Sequence, residues 1–304
     1  MAFGRNEGIV FAFAAALISG ISVFANGAAV KLAEPLAYTL LKNIGAFIFL
    51  AAVVLFLGEW RSFKALSRKQ WLYLLLIGVI GGSIPFALFF TGLKLGGALV
   101  SSFIFRSLFI FAGVFGYFIL KEKPTGKEML AGFTILVGNA LLLPPQLSFG
   151  FPQLLVFAAT LLWALEYTIS RKAMADTPPR VVMISRMFFG SLVLIAFMVA
   201  TNSAGALLQI NAELLQWLFI TSLLLSAFLL TWYNALARLP VLKATAIFAL
   251  GGVVTAVLET ALAGRTLAPL EAFSLFLIAI GAFAFAGAID ALRRALGAFR
   301  HART

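Results

Sequence analysis

The sequence has no cysteine and a single histidine, His301. A disulfide framework, a thiolate metal site and a cysteine nucleophile are therefore excluded. No His-based metal centre or Ser-His-Asp triad fits such a composition. Charge is scarce too: Asp, Glu, Lys and Arg make up 11% of 304 residues, less than half the ordinary share of about 25%. Acids are the rarest, 11 against 23 Lys and Arg. There is no Gly-x-x-x-x-Gly-Lys-Ser/Thr phosphate loop and no His-Glu-x-x-His pair, which argues against ATP hydrolysis and zinc hydrolysis. The expectation is a protein that is not an enzyme and uses neither metal nor cofactor.

What is abundant is apolar. Hydrophobic residues reach 62%, against roughly 45–50% in a soluble domain, and the mean hydropathy is +1.06. Water could not cover that much apolar surface, so lipid must. Crossing about 30 Å of hydrocarbon takes roughly 20 helical residues. Ten runs qualify: 8–27, 36–58, 71–91, 98–119, 129–145, 151–171, 181–201, 214–234, 244–263 and 271–292. They are too long for barrel strands and lack their alternation. Prolines and glycines mark the breaks: Pro35, Gly96-Gly97, Pro124, Pro144-Pro145, Pro178-Pro179, Pro240 and Pro269. Run 129–145 is the shortest and ends in a double proline, so nine spans is the competing count. The first run follows Arg5 as a signal peptide would, but it is long for a cleaved one and has a counterpart later in the chain.

The formal net charge of +12 would point a soluble protein towards nucleic acid. Here the basic residues orient the chain instead. Ten spans sort them so that 17 fall in one set of connections and three (Lys31, Lys94 and Arg265) in the other. By the positive-inside rule both termini are then cytoplasmic, and nine spans would scramble this alternation. No nucleic acid partner is expected; the partners are the bilayer and a small-molecule substrate, and a monomer is the working expectation.

The two halves, 1–146 and 147–304, resemble each other at an offset of 143–144 residues. Pro35-Leu36-Ala37-Tyr38-Thr39-Leu40-Leu41-Lys42 aligns with Pro179-Arg180-Val181-Val182-Met183-Ile184-Ser185-Arg186, Phe89-Phe90-Thr91-Gly92-Leu93 with Trp232-Tyr233-Asn234-Ala235-Leu236, Glu128 with Glu271, and Gly138 with Gly281. Five spans per half is an odd number, so the halves must face opposite ways, the inverted repeat found in secondary transporters.

On this span plan, the basic residue seven positions after the proline in spans 2 and 7, Leu162-Trp163-Ala164-Leu165-Glu166-Tyr167 in span 6 and the aromatic ends of spans 3 and 8, the chain resembles the drug/metabolite transporter superfamily in its branch with two five-helix repeats. The resemblance implies an all-α polytopic membrane protein, with a cavity among helices 1–4 and 6–9 and helices 5 and 10 packed outside. It implies transport of small metabolites, most like the amino acid exporters of bacterial inner membranes.

Charges inside spans cost about 2.5–3.5 kcal/mol each on insertion scales, which marks them as functional candidates. Three cations lie within runs: Lys42, Arg106 and Arg186. Lys42, one turn from Tyr38, is read as a carboxylate anchor or as a lysine snorkelling to the headgroups. Arg106, about 12 Å into span 4 at about 1.5 Å per residue, is read as a bidentate carboxylate grip or as a structural residue held by Glu259 or by backbone carbonyls. Arg186 is read as an inner gate with Glu166 or as one more positive-inside residue. Thr160, Trp163, Tyr167 and Ser170 share a face of span 6 beside Glu166, and Ser19, Ser22 and Asn26 repeat that face in span 1. The expected substrate site is thus Tyr38, Lys42, Phe86, Phe90, Arg106, Trp163, Tyr167 and Trp232, with Glu166, Arg186 and Glu259 gating or coupling. The expected function is export of aromatic and other neutral amino acids by alternating access. Alternatives are a phosphorylated-sugar or nucleotide-sugar exchanger, which needs more converging cations, and a cationic-drug exporter working through Glu166 or Glu259.

Overall fold

The structure, a computed structural model, describes residues 2–142 and 150–287. All regular structure among the described residues is helical: α1 (Ala2–Ala29), α2 (Pro35–Phe56), α3 (Arg68–Gly82), α4 (Ile84–Gly96), α5 (Ala98–Arg106), α6 (Leu108–Phe115), α7 (Gly126–Leu141), α8 (Phe151–Ala173), α9 (Pro179–Ala200), α10 (Ala212–Arg238), α11 (Val241–Phe248), α12 (Leu250–Ala263) and α13 (Pro269–Ala286), with short 3₁₀ and π turns between some of them. Local chemistry sets the starts. Glu34 accepts from the Ala37 N–H ahead of Pro35, Ser67 and Gln70 form a capping box, and so do Thr125 and Glu128. Each satisfies N–H groups that the first helical turn leaves without partners.

Nine helical rods among the described residues are long and apolar enough to cross a membrane. Three are jointed. Arg68–Gly96 is α3 and α4, joined at Ser83 just before Pro85; Ala98–Leu120 is α5, α6 and a π turn, joined at Ser107; Val241–Ala263 is α11 and α12, joined at Ala249. The place of run 129–145 is taken by α7, whose 16 residues span about 24 Å at about 1.5 Å per residue. The ten expected full-length spans are therefore nine among the described residues, with α7 a shorter tenth rod. The end of run 129–145, the boundary between 1–146 and 147–304, the end of run 271–292 and the basic tail with His301 lie outside the described residues.

Packing fixes the directions. Gly138 sits against Ser274 and Ile278, while Gly281 sits against Ala131 and Ile135, so α7 and α13 run antiparallel. Ser102 bonds Thr255 and Arg106 bonds the Phe248 carbonyl, so α5 and the α11–α12 rod are antiparallel too. These are corresponding rods of the two halves. By contrast Ala16 meets Gly251 and Gly20 meets Val254, which sets α1 beside α12 in the same direction. Small residues make the crossings close: at Gly82, a methyl group would strike the Arg186 carbonyl.

Candidate functional site

Each joint leaves backbone carbonyls without helical partners. The Gly81 carbonyl would normally accept from residue 85, but Pro85 has no N–H. It accepts instead from Trp163 Nε1 and Arg186 Nη2, both at 3.0 Å, and the next carbonyl, Gly82, accepts from Asn43 Nδ2 at 2.7 Å. At the other joint Gly252 N–H donates to Ala249, which frees the Phe248 carbonyl for Arg106 Nη1 at 3.1 Å. Chain breaks in spans 3 and 9 thus hold two of the three intramembrane cations.

Between the halves lies a pocket of about 50 Å³. That is room for a few waters and no more. Its polar wall comes from α1 and α2: Ser19, Ser22, Asn26 and Lys42. Its ring wall comes from α4, α5, α8 and α10, chiefly Phe86, Phe89, Phe90, Phe105, Trp163 and Tyr167. The rings interlock, with Phe86, Phe89 and Phe105 all within 5.3 Å of Trp163 between centroids.

Lys42 is 2% exposed, so it does not snorkel. Its Nζ donates to Asn26 Oδ1 at 2.8 Å and lies 4.5 Å from the centroid of Phe90. Tyr38 donates its hydroxyl proton to the same Asn26 oxygen and has Thr221 Oγ1 3.0 Å away, so it backs the lysine instead of lining the pocket. Arg106 stands behind the wall: Nη2 donates to Ser19 Oγ at 3.0 Å, and the guanidinium lies between the rings of Phe105 and Phe248. Among the described residues no carboxylate lies within 4 Å of Lys42 or Arg106. Of the two kinds of partner expected for Arg106, a carbonyl is found, while Glu259 lines a different cavity of about 390 Å³ with Lys31 and the turn at Gly96-Gly97. Glu259 is half-buried near the end of α12, where the helix emerges, and does not join the central cluster.

Arg186 lies deeper than its place in the run indicates. It lines the central pocket, and Nη1 is 3.6 Å from Glu166 Oε2, with both side chains buried. Glu166 Oε1 accepts from Ser170 and from Tyr233, the latter at 2.7 Å. Trp232 is fully buried behind the pocket, 4.7 Å from Tyr167 and 4.8 Å from Phe248 between centroids. Of the eleven expected residues, Lys42, Phe86, Phe90, Trp163, Tyr167 and Arg186 line the pocket, Tyr38, Arg106, Trp232 and Glu166 buttress it, and Glu259 stands apart. Phe89, Phe105 and Phe228 line the pocket as well and are not among those eleven, because nothing local distinguishes them from the other phenylalanines.

The polar ties between halves are uneven. At the basic end Glu59 pairs with Arg180, Glu7 with Arg238 and Glu128 with Lys243, Gln70 donates to Asp176 and Thr177, and Glu122 accepts from Val241 N–H. At the other end Lys94 reaches Ala33 and Arg265 pairs with Glu271, each within its own half. Among the described residues, the side-chain ties between halves near the surface lie at the basic end.

The sequence profile of the EamA-like transporter family matches twice, over residues 6–143 and 150–287. An uncharacterized transporter of Bacillus subtilis (strain 168), YyaM, is 24% identical over 234 residues, covering 74% of this chain and 76% of that protein. An uncharacterized transporter from the cobO 3′ region of a Sinorhizobium species is 30% identical over 105 residues, 34% of this chain and 73% of that protein. A solved crystal structure shares the fold at TM-score 0.73 and 16% identity, over 91% of this chain and 94% of that one.

Proposed function

The chain belongs to the EamA-like transporter family, and from that premise we propose that it is a secondary transporter of the bacterial inner membrane. Its cargo is a small amphipathic metabolite bearing a carboxylate, a class that includes the neutral amino acids, and it exports that cargo by alternating access. The observation that carries this reading is the pocket between the halves, with Lys42 on a polar wall facing a wall of rings. A carboxylate meets the ammonium by a charge-assisted bond, and an apolar or aromatic tail meets Phe86, Phe90 and Trp163. The inverted packing of the halves supports two states, one open to each side.

The alternatives fare less well on the same wall. A phosphorylated sugar would bring a polyol against the rings. An organic cation would need an acid in the pocket, whereas Glu166 is held by Arg186, Ser170 and Tyr233, and Glu259 stands elsewhere. Counterflow of labelled phenylalanine, threonine and methionine in proteoliposomes tests the reading. Lys42→Ala is expected to abolish flux and Glu259→Gln to spare it. The absence of carrier-dependent flux for any carboxylate, or the reverse pattern in the two variants, overturns it.

A further inference from the structure

The two halves build the same cluster with one difference. At an offset of 144, Ser22, Asn26 and Lys42 correspond to Glu166, Ser170 and Arg186, and at 143 Phe90 corresponds to Tyr233. In the second half the cation lies by Tyr233, and the carboxylate of Glu166 completes the set, bonded by Ser170 and Tyr233 and 3.6 Å from Arg186. In the first half the cation lies over Phe90, and the place of the carboxylate is taken by the short hydroxyl of Ser22. Ser22 itself lines the pocket.

We propose that the cargo's own carboxylate completes the first-half cluster as Glu166 completes the second, and that the site therefore selects net-anionic acids without an α-ammonium group over zwitterionic amino acids. This rests on the carboxylate-transporter reading above and narrows it. The acceptors on the polar wall are already engaged: Asn26 Oδ1 by Lys42 and Tyr38, Ser22 Oγ by Asn26 Nδ2, and Ser19 Oγ by Arg106. Among the described residues no carboxylate lines the pocket. An α-ammonium group would be desolvated beside Lys42, with Arg106 one hydroxyl away and no counter-charge. A neutral hydroxyl or oxo group in its place carries no charge to desolvate and meets the Ser22 hydroxyl, which lines the pocket. The chemical class is an aromatic or branched aliphatic monocarboxylate, such as a 2-hydroxy or 2-oxo acid, and Ser22 is the residue that sets this specificity.

The test compares labelled 3-phenyllactate, phenylalanine and phenyl phosphate at equal concentration in proteoliposomes of the full chain. Phenyllactate flux at least tenfold above that of phenylalanine and above that of phenyl phosphate is expected. Ser22→Glu, which restores the missing carboxylate, is expected to cut phenyllactate flux at least tenfold while holding or raising the melting temperature; a variant that merely disrupted packing would lower both. Phenylalanine flux equal to or above that of phenyllactate overturns the inference and leaves the carboxylate reading standing. Faster phenyl phosphate overturns it in favour of a dianion site. No flux of any of the three overturns the inference and the reading together.

Discussion

Replacing Glu166 by glutamine tests whether the buried ion pair holds the second half together. The glutamine keeps an acceptor for Ser170 and Tyr233, but turns an amide N–H towards Arg186 Nη1, where an oxygen stood 3.6 Å away. The guanidinium keeps its bond to the Gly81 carbonyl and its neighbouring rings, so those terms cancel between wild type and variant. What is lost is the counter-charge in a site closed to water. Breaking a buried pair from one side costs about 3–5 kcal/mol. The retained hydrogen bonds place Glu166→Gln at the lower end, about 3 kcal/mol, or roughly 6 °C at about 2 °C per kcal/mol in a chain of this size. Unfolding by SDS titration in mixed micelles, followed by far-UV circular dichroism, measures it. Arg186→Met alone strands the carboxylate and is also destabilising. In the double variant nothing charged remains, so its loss is expected to fall short of the sum of the singles by at least about 2 kcal/mol. Additivity within about 0.5 kcal/mol would refute the pair as a coupled unit.

Gly82→Ala drives a methyl group into the Arg186 carbonyl of α9 and is expected to cost about 1–3 kcal/mol and most of the flux, read from the same denaturation and transport assays; wild-type stability would mean the crossing is looser than drawn. Glu122, in the connection after the π turn, has its carboxyl pushed above the ordinary range by burial, with Glu128 adding to the shift while Val241 N–H and Arg171 oppose it. The folded state then binds this proton more tightly than the unfolded chain does, so this group's contribution to stability is present below the ordinary carboxylate range and is lost as pH rises through the raised value. Melting curves between acidic and neutral pH are expected to show a smaller fall in stability for Glu122→Gln than for wild type, and an unchanged slope would count against it. The cysteine-free background allows single labels: Ala98→Cys, in the larger cavity, is expected to react with an impermeant maleimide on intact cells, and Leu242→Cys, beside the tied basic end, to stay protected. The opposite labelling pattern would reverse the assigned orientation.

Hydropathy and punctuation made most rods legible, because a helix in lipid must be apolar along its length. The buried cations and the Trp163–Tyr167 face were legible for the related reason that polarity inside a span is expensive. The joint at Ser83 is signalled by Pro85, but those at Ser107 and Ala249 carry no proline and depend on tertiary packing. Glu259 does not meet Arg106, because hydropathy treats all positions of a run alike, while the helix places this one in the wall of another cavity. Glu166 and Arg186 could be paired from sequence, since spans 6 and 7 are neighbours. That a carbonyl could hold Arg106 was also legible; which carbonyl, and which two rings, was not, because those groups come together only once a broken helix has docked.

A protein selected for stability alone has little use for Lys42 and Arg106. Apolar side chains of similar volume are often neutral or stabilising by about 1–4 kcal/mol at buried charged positions. Nor would it build one half with its carboxylate and the other without. The asymmetry makes sense if closure must depend on cargo. A ligand shifts an equilibrium between two states only by its difference in affinity for them. The second-half cluster carries its own carboxylate whether or not cargo is present, and gives the halves a permanent bearing. The first-half cluster gains a carboxylate only when an acid enters, so its closed form gains most from cargo. A site complete in both halves would close empty, and one incomplete in both would lack the fixed surface against which cargo-dependent closure can occur.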